Sequence, residues 1–146
     1  MMKITRAFTL PEVLLSIALL TIITGMTIPL YGVFMNRNDL DTATTMIAQN
    51  LRRAQALSES GDGDTSWGVH VGVGSILVFK GASYVSRDST YDESTSYPTT
   101  IVPTGLSEVV FSKVTGAPQV TGAFTLTAPS GEVRNITINE KGMVDY

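Results

Sequence analysis

Phe8-Thr9-Leu10-Pro11-Glu12-Val13-Leu14-Leu15-Ser16-Ile17 begins the stretch on which the fold turns. From Val13 to Met35 there are 23 consecutive residues without a charge. At helical rise they span about 35 Å, sufficient for a bilayer core. Lys3 and Arg6 precede the run, so the positive-inside bias puts the N-terminus in the cytoplasm and exports the polar remainder of the chain. Beyond Met35 the chain turns polar and rich in Ser and Thr, which number 32 in all. Of its 146 residues, 43% are apolar and only 16% charged, against about 25% charged in an ordinary soluble domain. This is the composition of a membrane-length segment with one modest polar domain. It excludes a plain cytosolic enzyme and a multi-spanning transporter.

The side-chain inventory argues against catalysis. There is no cysteine, which removes disulfides, thiol nucleophiles and Cys-based zinc sites, and the one histidine is His70. No catalytic constellation, cofactor or metal is expected. The net charge of −3 gives no electrostatic case for nucleic acid.

Three readings of the N-terminal stretch compete. A cleaved secretory signal wants small residues at a cut after the apolar core, where Gly25 and Thr27 stand, yet the run continues to Phe34. A simple signal anchor accounts for the run and its basic flank. Both leave Glu12 awkward. A carboxylate within an apolar helix costs about 2.5–3.5 kcal/mol to insert and usually marks function, although a Glu near a helix N-terminus also favours the dipole.

The third reading comes from a resemblance. Lys3-Ile4-Thr5-Arg6-Ala7 followed by Phe8 to Ile17 resembles the class III signal of type IV pilins and pseudopilins. The resemblance implies a prepilin peptidase that cuts between Ala7 and Phe8 on the cytoplasmic side, and N-methylation of Phe8. It makes Glu12 the fifth residue of the mature chain, the position at which the family carries its assembly Glu, and matches Pro29 to the family's helix proline. One position departs from the pattern, since the residue before the cut is normally Gly and here is Ala7. The implied partners are other pilin or pseudopilin subunits, an inner-membrane assembly platform, and lipid before assembly. The implied location is the inner membrane, single-pass, and then a periplasmic or extracellular filament. Cleavage frees an α-amine on Phe8 with a reference pKa near 8, largely cationic at neutral pH. Glu12 and a neighbouring subunit's amine can then pair in low dielectric and set the register of assembly.

The helix extends past the apolar run. Pro11 falls in its first turn, where a missing N–H costs nothing. Pro29, flanked by Gly25 and Gly32, is expected to kink or loosen it. Leu40, Ala43, Ile47, Leu51, Ala54 and Leu57 then recur at spacings of 3 and 4 as one apolar stripe, and Ser60-Gly61-Asp62-Gly63 ends the helix. Short alternating strands come next: Trp67–Val71, Ile76–Lys80, a strand around Val109–Phe111, Phe124–Ala128, Ile136–Ile138 and an edge at Met143–Tyr146. The fold class read from this order is α+β, a long transmembrane and then amphipathic helix packed on a small antiparallel β-domain. The segments are a leader at 1–7, a membrane or filament-core helix at 8–35, its amphipathic continuation at 36–60 and a β-rich head at 61–146. The Leu51–Gln55 helix end, Trp67–Val71 and Ile136–Asn139 with Gly142 also resemble the minor pseudopilins of type II secretion and related minor pilins.

Other features point to less. Gly81–Gly105 reads as a long solvated connection, with a surface binding loop as the alternative. Asp62-Gly63-Asp64 lacks the distal Glu of a calcium loop and reads as a helix-terminating turn. His70 reads as a polar-face strand residue, and Asn135-Ile136-Thr137 as a sequon in a strand. Arg52-Arg53 is the local basic pair of a chain left with eight basic and 13 acidic side chains once residues 1–7 are removed. The functional expectation is a non-enzymatic filament subunit. The alternatives are a membrane-anchored adhesin or binding domain that does not polymerise, and a DNA-uptake minor pilin.

Overall fold

A computed structural model describes residues 8–146; the side chains of residues 26–31 and 33 within its helix lie outside the described set. Ala7 and the Pro29 side chain therefore fall outside the described residues. The chain divides into two compact units, Met1–Met35 and Asn36–Tyr146, the second of which we call the head. Helix α1 runs over Leu10–Glu59. It ends where Gly61 adopts a left-handed φ of 68°, with the Ser60 N–H bonded to Ala56 C=O at 2.9 Å and the Gly61 N–H to Ser58 C=O at 3.2 Å. A glycine just past the last turn takes this backbone without a Cβ penalty.

A short 3-10 turn at Asp62–Asp64 follows, and then eight strands: β1 Trp67–Gly72, β2 Ser75–Lys80, β3 Asp88–Ser96, β4 Val102–Gly105, β5 Glu108–Phe111, β6 Gly122–Thr127, β7 Val133–Ile138 and β8 Val144–Asp145. They form two four-stranded sheets, β3-β2-β1-β5 and β4-β6-β7-β8. Every pairing is antiparallel. The α+β class and the helix-on-sheet arrangement agree with the sequence. The number of strands does not. β3 and β4 lie inside Gly81–Gly105, which the sequence presents as a solvated connection. β3 is an edge strand of polar residues, mostly exposed, and so lacks the apolar alternation that announces a strand. Its register on β2 also jumps, from Val78 opposite Glu93 to Lys80 opposite Asp88. β4 is short and holds Pro103, which an edge strand tolerates.

The apolar stripe of the helix is the centre of the head. Leu40, Ala43, Ile47, Leu51 and Ala54 are fully buried, and Leu57 packs against the cluster from its margin. The first sheet contributes Val69, with Val78 and Val109 opposite it on its two neighbours. The second contributes Phe124 opposite Ile136, with Leu126 and Ile138 alongside. Each such side chain gains about 1.5–3 kcal/mol on burial. With no cysteine in the chain, this packing replaces any covalent staple.

The outer face of the first sheet is closed by residues 81–87. Tyr84 stacks on His70, ring centroids 3.9 Å apart and planes 17° apart, and meets Phe79 edge-on at 6.1 Å. Its N–H donates to the Glu108 carboxylate at 3.1 Å. Arg87 lies 4.2 Å over the Tyr84 ring and pairs with Asp92 at 2.9 Å. Gly68 has no space for a side chain here, since a Cβ would sit 2.6 Å from Phe79 Cζ.

Ser58 is the polar junction between the helix end and the first sheet. Fully buried, it accepts the Trp67 N–H at 2.9 Å and donates to the Phe111 carbonyl at 3.0 Å. Ser58→Ala strands the Trp67 N–H in the interior and is expected to cost about 1–3 kcal/mol. Urea unfolding followed by Trp67 fluorescence checks this, and an unchanged midpoint contradicts it.

Candidate functional site

The start of α1 is built from four residues. The Thr9 carbonyl accepts the N–H groups of Glu12 at 3.0 Å and Val13 at 3.2 Å. Pro11 sits between them, where no N–H is needed. The Glu12 carboxylate reaches back to Thr9, whose backbone N–H and hydroxyl both lie 3.4 Å from Oε2. The pattern Thr-x-x-Glu is the sequence form of a capping box. Within this one chain Glu12 is therefore a helix-capping carboxylate, exposed to solvent, with Phe8 beside it 78% exposed.

The next four turns present apolar side chains on every side. Leu10, Val13, Leu14, Leu15, Ile17, Leu19, Leu20, Ile22 and Ile23 are between 45% and 74% exposed. A helix apolar all round requires an apolar environment. Its hydroxyls are compatible with one. Ser16 donates to the Glu12 carbonyl at 2.8 Å, Thr21 to Ala18 at 2.8 Å and Thr24 to Leu20 at 2.7 Å. Each is satisfied by the helix's own backbone, which removes most of the penalty for leaving water. The expected membrane segment, 8–35, includes side chains outside the described set. Among the described residues no helix is long and apolar enough to cross a membrane.

Several charged residues of the head are paired within it. Arg53 pairs with Glu93 on β3 at 2.8 Å, which raises the guanidinium pKa. Arg52 donates to the Val144 carbonyl at 3.3 Å and lies 5.4 Å over the Tyr146 ring. The basic pair is thus spread between two elements of its own domain. The Asp64 carboxyl is bonded to Lys113, which holds its pKa below the usual carboxylate range. Asp62 gives its carbonyl to Trp67 Nε1 at 3.0 Å. Among the described residues no cluster of three metal-ligating side chains occurs.

His70 lies on the outer face of β1, which is not a polar, solvated face: Tyr84 stacks on it beside the buried Phe79. Its Nδ1 is buried without a hydrogen-bond partner. Sequence reasoning missed the anchoring role of the tyrosines in Gly81–Gly105. Tyr97 is nearly buried and donates its hydroxyl to the Gly72 carbonyl at 2.6 Å, and burial pushes its phenol pKa up. Tyr91 takes Lys80 over its ring at 4.1 Å. A tyrosine in a polar stretch carries no sign of the surface it will cover.

No family model matches the chain, and no curated protein matches it in sequence. Among solved structures the chain is similar to the minor pseudopilin EpsH from the type 2 secretion system of Vibrio cholerae. That match has a TM-score of 0.54 and 11% identity, and covers 73% of this chain and 94% of that one. At that identity the likeness is one of fold, and the fold is pilin-like.

Proposed function

We propose that the chain is a structural subunit of a type IV pilus-like or type II secretion-like filament, with no catalytic role. It enters the inner membrane through its apolar segment with the head exported. A prepilin peptidase cuts it between Ala7 and Phe8, Phe8 is N-methylated, and the assembly platform adds it to other pilin-like subunits through the apolar helix. Glu12 pairs there with a neighbour's α-amine, and Pro29 lets the helix bend as it leaves the lipid.

One observation carries this reading. A single α-helix exposes apolar side chains on all sides over its first turns, then forms the centre of a head with a pilin-like fold. Side chains so exposed and apolar in its first turns are what lipid or other subunits would cover. Mass spectrometry of the mature N-terminus tests the proposal. The expected result is an N-methylated Phe8 with residues 1–7 gone. A chain that keeps Met1 to Ala7 in its native host is a simple anchor, and the filament assignment fails.

A further inference from the structure

Among the described residues, the buried side-chain atom left without a hydrogen-bond partner is Nδ1 of His70. Native structures seldom leave such an atom unpaired without a reason. On the two strands beside β1, His70 stands opposite Leu77 and opposite Glu108. Tyr84, from the strap of residues 81–87, stacks on the imidazole at 3.9 Å. The Arg87 guanidinium lies over the Tyr84 ring at 4.2 Å. The carboxylates that hold the strap are both in use. Glu108 accepts the Tyr84 N–H at 3.1 Å, and the two oxygens of Asp92 accept Arg87 Nε at 2.9 and 3.2 Å.

We infer that the strap is a pH-responsive cover: a proton placed on His70 Nδ1 releases residues 81–87 from the first sheet and bares Phe79, which is fully buried beside Tyr84. All the contacts involved lie within one head, so the inference holds whether or not the chain polymerises.

Three arguments support it. First, imidazole is the side chain that ordinarily changes charge between about pH 5 and 8. A neutral ring can carry its proton on Nε2 and leave Nδ1 bare, whereas a charged ring carries a proton on both nitrogens. Burying a bare nitrogen is a modest penalty, but burying the N–H of a cation with no acceptor is a large one.

Second, the acceptor opposite His70 already has a task. If Glu108 turns to the new Nδ1–H, the Tyr84 N–H loses its partner. If Glu108 stays, the imidazolium is unpaired. Either outcome penalises the closed strap. Gly81 donates its N–H to the Ser66 carbonyl at 2.9 Å, and from there to β3 the strap relies on Tyr84 and Arg87.

Third, Tyr84 already serves one cation. An imidazolium would become the second cation against the same ring, and its repulsion with Arg87 offsets the attraction a ring has for a cation. β2 contributes Leu77 and Phe79 to these surroundings, and neither titrates. The closed strap therefore binds fewer protons than the open one, and acid favours the open one.

The absence of cysteine makes the test direct. Full-length chain in detergent, carrying Val85→Cys, takes a single nitroxide label. Val85 is 92% exposed within the strap, so the label disturbs no packing. Electron paramagnetic resonance is expected to show a restrained label near pH 8, and a ratio of mobile to restrained label about tenfold higher near pH 5.5. His70→Phe keeps a ring beneath Tyr84 that cannot be charged, and is expected to hold the label restrained at both pH values. His70→Gln serves the same purpose if the Phe variant does not fold. A label at Thr125→Cys, in the second sheet, is expected to be unchanged by pH. Identical spectra at both pH values in the chain that keeps His70 overturn the switch. An equal response in the His70→Phe or His70→Gln chain overturns His70 as its origin and passes the role to a carboxylate. Equal loosening at Thr125→Cys overturns the proposal in favour of acid unfolding of the whole head.

Discussion

Phe124→Ala is expected to destabilise the head by about 3–5 kcal/mol, much of the 5–15 kcal/mol that a domain of this size possesses. Phe124 is fully buried in the middle of the second sheet, with Ile136 opposite on one side and Gly105 on the other. It belongs to the cluster that also holds the helix stripe and the core face of the first sheet. Truncation therefore opens a cavity at a point where three layers meet. The backbone has little freedom to collapse into it. At Gly105, where φ is 89°, an added Cβ would already approach the Ala123 carbonyl to 2.4 Å. The measurement is denaturant unfolding of detergent-solubilised full-length chain. A loss under about 1 kcal/mol would mean that the two sheets do not share one core.

Glu12→Ala is expected to leave the chain folded and in the membrane and to reduce its incorporation into filaments by more than about a hundredfold. Removing one partner of a buried charge pair costs about 3–5 kcal/mol, and each 1.4 kcal/mol is about a factor of ten. The geometry supplies the control. In the single chain Glu12 is an exposed cap whose carboxylate contacts Thr9 at 3.4 Å, and losing an exposed cap costs only about 0.5–2 kcal/mol. Thr9→Ala removes the hydroxyl contact and keeps the carboxylate. If the carboxylate acts through a neighbouring subunit, Thr9→Ala assembles nearly normally where Glu12→Ala does not. Equal defects in the two variants would reduce Glu12 to a capping residue. Filament pelleting with immunodetection of the head separates these outcomes.

The helix was legible from sequence because its signals are local. The spacing of Leu40, Ala43, Ile47, Leu51 and Ala54 fixes one face, and all five are fully buried. Thr9, Pro11 and Glu12 define the first turn within four residues. The strands around Val69, Val78, Phe124 and Ile136 were legible for the same reason, since alternation at a period of two needs no knowledge of the partner. The candidate site was readable as a run of uncharged residues interrupted by Glu12 at its start.

The features that the sequence did not reveal depend on residues far apart in the chain. β3 has no apolar face and forms only because β2 offers it an edge. The stacking of Tyr84 on His70, the bond from Tyr97 to Gly72 and the double role of Ser58 join positions between 9 and 53 residues apart. Local pattern fixes which face of an element is apolar. It leaves open which other element will cover that face. Local spacing alone was enough to specify a long helix with an apolar first part, an amphipathic second part and antiparallel strands after it. Tertiary structure decided that two sheets share one core against the helix, that one sheet's outer face is closed over by aromatic and charged side chains, and that the other's remains open and uncharged. The physical reason is that burial is a property of pairs of surfaces, and a single strand specifies only one of them.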